Sequence, residues 1–230
     1  MITVKKNAIR YKTSEGMQDS GVLANVGVVQ NMLDYVKVYA RLFFGTVFPS
    51  GTKLNWTLAT LTDGTASSSA ISFINVFQNS TGLESLKLNA FVNNRKVNIS
   101  EAFRELTIKE IDFTDFNLEI YQANYTFQYC ADLEAIKGEI KFSEDVTSIT
   151  NMFYGCSKLR EIRFAKNTIK ISLNMAQSSL LSDSSVQSII DGLADLTSGT
   201  SKTLTLHKDV KAKLTEAQIA TITSKNWTLA

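Results

Sequence analysis

Asn151-Met-Phe-Tyr-Gly-Cys-Ser-Lys-Leu-Arg-Glu-Ile-Arg-Phe164 is the stretch that decides the fold, because weaker copies of it stand upstream. Aligned on the aromatic, the copies begin at Phe77, Phe103, Phe127 and Phe153, in steps of 26, 24 and 26 residues. Each places an aliphatic six residues after the Phe (Leu83, Leu133, Leu159) and another three further on (Leu86, Ile136, Ile162). The Phe103 copy is one residue shorter and supplies Ile108 and Ile111.

That spelling predicts a short strand whose alternate side chains point inward, then a turn and a tighter segment that returns the chain one strand spacing further on. One copy cannot bury its apolar face alone, whereas stacked copies bury it continuously. Leu88, Phe113 and Phe164 are the third inward residues, and Gly138 interrupts the series where a bulge or a thin core is expected. The period lies within the roughly 20–29 residues of leucine-rich repeats. The predicted fold is an α/β repeat, a leucine-rich-repeat solenoid of short stacked strands over 51–180. Residues 1–50 form an N-terminal attachment segment with a helix, and 181–230 a helical C-terminal cap.

Thr147-Ser-Ile-Thr-Asn-Met-Phe-Tyr-Gly-Cys-Ser-Lys-Leu-Arg-Glu-Ile162 resembles the repeat of BspA-like leucine-rich-repeat surface proteins, whose units carry the phrase N-M-x-x-M-F-x-x-C-x-x-L-x-x-L. The resemblance runs over residues 70–165 and is loosest at the Phe103 copy, which lacks the Cys. It implies an extended face used for recognition. A second resemblance is carried by Asn7-Ala-Ile-Arg-Tyr-Lys-Thr-Ser-Glu-Gly16, which is similar to the opening of bacteriophage tail and head-fibre proteins; the tail from Leu181 to Ala230 looks like the closing segment of phage and gut-bacterial repeat proteins of this type.

With 44% hydrophobic and 10% aromatic residues, the 230-residue chain has material for a substantial core. Lys plus Arg is 24 against Asp plus Glu 22, so no strong global field recruits nucleic acid or an anionic membrane. The basic N-terminus has no apolar run behind it, and no stretch reaches membrane-spanning length, so neither a secretory signal nor membrane insertion is expected. An extracellular surface would then be reached by another path, of which virion assembly is one.

Strand character at Ile2, Val4, Ile9 and Tyr11 precedes a turn at 14–16. From there apolar residues fall at Val22, Val26, Val29, Leu33, Val36, Ala40 and Phe43, alternating fours and threes. They read as the seam of an oligomerisation stalk, or as a helix that lids the first repeat. Gly45 to Gly51, with the only proline, Pro49, is the expected end of that helix and the domain boundary. Leu54, Trp56 and Leu58 alternate as a strand, and its pentapeptide Asn55-Trp-Thr-Leu-Ala59 recurs at Asn226 to Ala230. Near the C-terminus, Ile169 to Leu173 and Thr203 to His207 read as strands. Ser182 heads a helix with the face Val186, Ile189, Ile190, Leu193 and Leu196, and Thr215 with Gln218 has capping-box spacing for a second helix through Ser224.

No pattern for chemistry emerges: no catalytic residue, cofactor or metal ligand is assigned. His207 is the only histidine, no G-x-S-x-G elbow or phosphate-cradling glycine loop occurs, and the two cysteines lack metal-ligand spacing. Cys130 and Cys156 fall at equivalent points of consecutive repeats, about one strand spacing (~4.8 Å) apart, which is open to a disulfide or to a ladder of buried thiols. The carboxylate pairs Glu101/Glu105, Asp112/Asp115 and Glu144/Asp145 have the composition for acid–base work but equally that of solvated loops. The outward strand positions Glu84, Lys87, Lys109, Asp112, Glu134, Lys137, Arg160 and Arg163 form a mixed-charge candidate recognition face. The function expected is a non-enzymatic phage or prophage virion protein, a homo-oligomeric fibre or receptor-binding component that contacts other virion proteins and a host protein or glycan. A bacterial cell-surface adhesion module is the alternative.

Overall fold

The computed structural model describes residues 40–57, 71–90 and 95–230, together with the backbone of three strands between residues 3 and 22. Those three, β1 (Thr3–Lys5), β2 (Ala8–Thr13) and β3 (Gly16–Val22), form an antiparallel meander. The remaining strands are β4 (Val47–Thr57), β5 (Ile71–Ser72), β6 (Thr81–Asn89), β7 (Lys96–Asn98), β8 (Glu110–Asp112), β9 (Glu119–Gln122), β10 (Ala135–Lys137), β11 (Leu173–Met175), β12 (Lys202–Leu206) and β13 (Trp227–Leu229). All of these pair in parallel, in sheets ordered β10-β8-β6-β4, β5-β7-β9 and β11-β12-β13. With only the helices α1 (Asp183–Gly192), α2 (Lys208–Lys211) and α3 (Glu216–Ser224) among the described residues, the fold is α/β with mostly parallel strands.

Register follows the copies. Leu54, Leu86, Ile111 and Ile136 stand side by side on neighbouring strands, with Ile162 in the next copy, and all five are buried. Leu83, Ile108, Leu133 and Leu159 are buried as well. Between the sheets the phenylalanines form a column. Phe43, Phe77, Phe103, Phe127 and Phe153 stack ring on ring, with centroids 5.1, 6.0, 5.3 and 5.5 Å apart and planes within 18° of parallel.

The turns that carry these rings are also in register. In each copy the residue two before the Phe and the residue two after it adopt left-handed backbone. The first set is Arg41, Asn75, Glu101, Tyr125 and Asn151 (φ 50° to 59°), and the second Gly45, Asn79, Glu105, Tyr129 and Gly155 (φ 58° to 84°). Each of the first four turns aims three N–H groups at carbonyls of the next copy: Tyr125, Phe127 and Tyr129 donate to Thr150, Met152 and Tyr154 at 2.7–2.9 Å. Satisfying the backbone across copies is what holds non-glycine residues in a conformation that costs them about 1–2 kcal/mol. Glu105→Asn should therefore stabilise the protein by about 0.5–1 kcal/mol, since Asn79 already fills the same place and the exposed Arg104–Glu105 pair contributes little. Urea titration measures this, and an unchanged or lowered midpoint counts against it.

Three expectations are corrected. Val22 ends strand β3 and pairs with Ala8, so its backbone is extended rather than helical. Phe43 is not a seam residue between copies of the chain. It is fully buried as the first ring of the column, 34 residues before Phe77, while Ala40 is exposed in the preceding turn; Val26, Val29, Leu33 and Val36 lie outside the described residues. Pro49, expected where a helix ends and the chain turns, lies inside β4, whose pairing with β6 jumps from Val47↔Thr81 to Thr52↔Leu83. A bulge admits the residue without an N–H that a regular ladder would reject.

The interruption at Gly138 is also a bulge. Gly138 (φ +76) sits where a Cβ would come within 2.5 Å of the Phe113–Thr114 backbone, and the chain rejoins the stack at Ile140, which is buried and bridges Phe164. Past the fourth copy, strand pairing gives way to α1. The N–H groups of Ile162 and Phe164 donate to the hydroxyls of Ser185 and Ser188 at 2.9 and 3.0 Å, while Ser182, the N-cap, accepts from the Ser185 N–H. Helix α3 opens with the Thr215/Gln218 capping box. Both copies of the Trp-Thr pair lie in strands, with Trp56 buried in β4 and Trp227 buried in β13, the latter tied by its indole N–H to Ala194 O at 2.9 Å.

Candidate functional site

The strand face brings together part of the predicted recognition set. Lys87, Asp112 and Lys137 are register neighbours on β6, β8 and β10. Glu84, Lys109 and Glu134 lie one repeat apart and are exposed; Glu134 N donates to Lys109 O and Arg160 N to Glu134 O. Arg160 and Arg163 flank the bridge residue Glu161 and are exposed. The eight residues thus fall on consecutive copies, six of them exposed and Lys87 and Asp112 half-buried.

Much of its charge is internally matched. Lys53 pairs with Glu84 at 3.1 Å, Lys87 with Asp115 at 2.7 Å, and Lys137 with Glu110 at 2.8 Å. Hydrogen bonds to Asp115 and Glu110 push the Lys87 and Lys137 ammonium groups above their ordinary pKa. Burial raises the Asp112 carboxyl, but hydrogen bonds from Thr114 and the charges of Lys87 and Lys137 outweigh it and leave Asp112 below the usual carboxylate range. Salt screens such exposed pairs, so the face offers alternating sign and shape rather than one strong field.

The three carboxylate pairs are likewise engaged with cations: Glu101 and Glu105 with Arg104, Asp115 with Lys87, Asp145 with Lys96, and Glu144 with Lys170. His207 caps α2, its Nδ1 accepting from the Asp209 N–H at 3.2 Å. Cys130 and Cys156 are free, buried thiols that donate to the carbonyls of Phe103 and Phe127 at 2.8 and 3.0 Å. Ser80 does the same to Phe43 O at 2.5 Å, so the residue three past Phe77, Phe127 and Phe153 is a donor to the copy before, while Leu106 stands at that place after Phe103. Among the described residues no cluster of His, Cys, Asp or Glu has the makings of a metal site, and no helix is long and apolar enough to cross a membrane.

The turns present a second exposed surface that the sequence reading missed. Tyr129 and Tyr154 are 49% and 41% exposed and meet edge to face, centroids 5.5 Å apart and planes at 85°. Gly155 N donates to Gln177 Oε1 at 2.7 Å beside them. At the other end of the turn surface Arg41 lies 4.4 Å over the exposed ring of Phe44. The available signal was the alternation within the phrase: residues one and two past the Phe cannot both point into the core.

Compared with family models, with curated proteins and with solved structures, the chain matches none of them.

Proposed function

We propose that the chain is a leucine-rich-repeat solenoid with a helical C-terminal cap, and that it serves as a non-enzymatic virion component of a bacteriophage or prophage, a fibre or receptor-binding protein whose repeat body contacts a host protein or glycan. The observation that carries this reading is the register itself. Copies of one phrase stack through a ring column and a backbone ladder, which leaves consecutive outward positions free along an extended surface. Serines of α1 taking the last N–H groups fit a cap that ends the stack and blocks edge addition. The phage-fibre resemblance of the first residues supports the virion over the cell surface.

Purified particles from the producing strain, analysed by mass spectrometry, are expected to contain the chain in a fixed ratio to the major capsid or tail protein. Its absence from intact particles, with the chain recovered from washed bacterial envelopes instead, would replace the virion reading by that of a cell-surface adhesin.

A further inference from the structure

Tyr129 holds a bulky aromatic in left-handed conformation at φ +60, where Gly45, Asn79 and Gly155 occupy the equivalent places in three other copies and Glu105 (φ 58) in the fourth. A large side chain kept where glycine or asparagine would be easier points to a use for that side chain. The neighbouring copy makes room for it: a Cβ on Gly155 would stand 2.8 Å from Cδ1 of the Tyr129 ring. The ring thus lies over Gly155 and against Tyr154, while the Gly155 N–H fixes Gln177 through its Oε1 and leaves the side-chain amide as a donor.

We infer that this platform, Tyr129 and Tyr154 with Gln177 on one side and Glu105 one copy away on the other, binds a neutral saccharide. The inference rests on the recognition reading above and moves its contact point from the strand face to the turns. Pyranose rings pair an apolar C–H face with hydroxyls that both donate and accept, which is the complement of exposed aromatic rings flanked by an amide and a carboxylate. A protein partner needs a buried apolar centre and roughly 800 Å² on each side, which two half-exposed rings on polar ground do not supply. Charge selects the uncharged class. Arg104 is shared between Glu101 at 2.9 Å and Glu105 at 3.2 Å, so this side of the platform is net negative and repels acidic sugars.

The test uses the full chain against neutral oligosaccharides of hexose and N-acetylhexosamine units, with uronic-acid oligomers alongside. Binding is read by saturation-transfer NMR and titration calorimetry. Saturable binding of a neutral oligomer is expected, at least tenfold weaker in Tyr129→Gly and in Tyr154→Ala and unchanged in the double variant Lys87→Ala/Lys137→Ala on the strand face. Tyr129→Gly should melt no lower than the parent, because glycine already serves at that position in two copies, so lost binding cannot be put down to misfolding. Binding that survives both tyrosine variants but fails in the lysine variant overturns the platform and leaves the recognition reading standing. Preference for uronic acids, or no binding to any neutral oligomer, overturns the inference whether or not the chain is found in particles.

Discussion

Phe103→Ala is expected to lower the unfolding free energy by about 3–5 kcal/mol, the range for deleting a buried aromatic whose surroundings cannot close in. Phe103 is fully buried in the middle of the ring column, 6.0 Å from Phe77 and 5.3 Å from Phe127, and Phe73 and Phe113 pack on its flanks at 6.3 and 5.9 Å. Collapse into the vacated space is opposed by the backbone. Phe77 N donates to Ala102 O at 2.7 Å and Phe103 N to Thr126 O at 3.0 Å, so the copies cannot approach without breaking the ladder. Phe103→Leu keeps most of the volume and should cost under about 1.5 kcal/mol. Phe44→Ala, on the exposed neighbour of Phe43, should cost about 0.5 kcal/mol or less. Urea denaturation of the three variants gives the order directly. A Phe103→Ala loss no larger than that of Phe44→Ala would mean that the column does not carry the core.

Aliphatic and aromatic spacing made the four later copies legible, because buried positions repeat at near-constant steps and each residue type reports its own burial. The first ring was not. Phe43 stands 34 residues before Phe77, and its place at the end of the run from Val22 let a helical periodicity absorb it. Periodicity alone cannot tell a seam from the first member of a stack when the copy is stretched by a bulge, here the one around Pro49. The left-handed positions were half legible. Asn75, Asn79, Asn151, Gly45 and Gly155 are residues that such backbone favours, but Glu101, Glu105, Tyr125 and Tyr129 hide the same column.

Outward positions of the strand face follow from the alternation of its side chains, yet its ion pairs depend on register that composition does not reveal. Lys87 is a register neighbour of Asp112 but bonds Asp115, three residues further along the partner strand's exit. For the cysteines, two equivalent positions one strand spacing apart left a bond and a ladder both open. What separates them is direction: each Sγ donates to the carbonyl of the copy before it.

Burial between the copies is expected to make the protein alkali-sensitive. Burial pushes the Cys130 thiol from an ordinary value of 9.0 up to about 12, and burial pushes Cys156 well above the ordinary value too. Both shifts favour the protonated form in the folded state. Below pH 9 the two states hold these protons alike, so stability there is unaffected. Between about pH 9 and 12 the unfolded chain loses the Cys130 proton and the folded chain keeps it, so the unfolding free energy falls as pH rises, by about 1.4 kcal/mol per unit and on the order of 4 kcal/mol across the window. Cys156 acts in the same direction. A Cys130→Ser/Cys156→Ser variant should fold, since Ser80 makes the equivalent bond to Phe43 O, and should lack this component of the alkaline loss. Lysine titration is common to both proteins and cancels in the comparison. Denaturation at pH 8, 9.5 and 10.5 is expected to give the parent the steeper decline, with the two proteins separating only above pH 9. Parallel declines, or thiols that react with a disulfide reagent at pH 8 as fast in the native as in the unfolded parent, would show that the cysteines are not sealed between the copies.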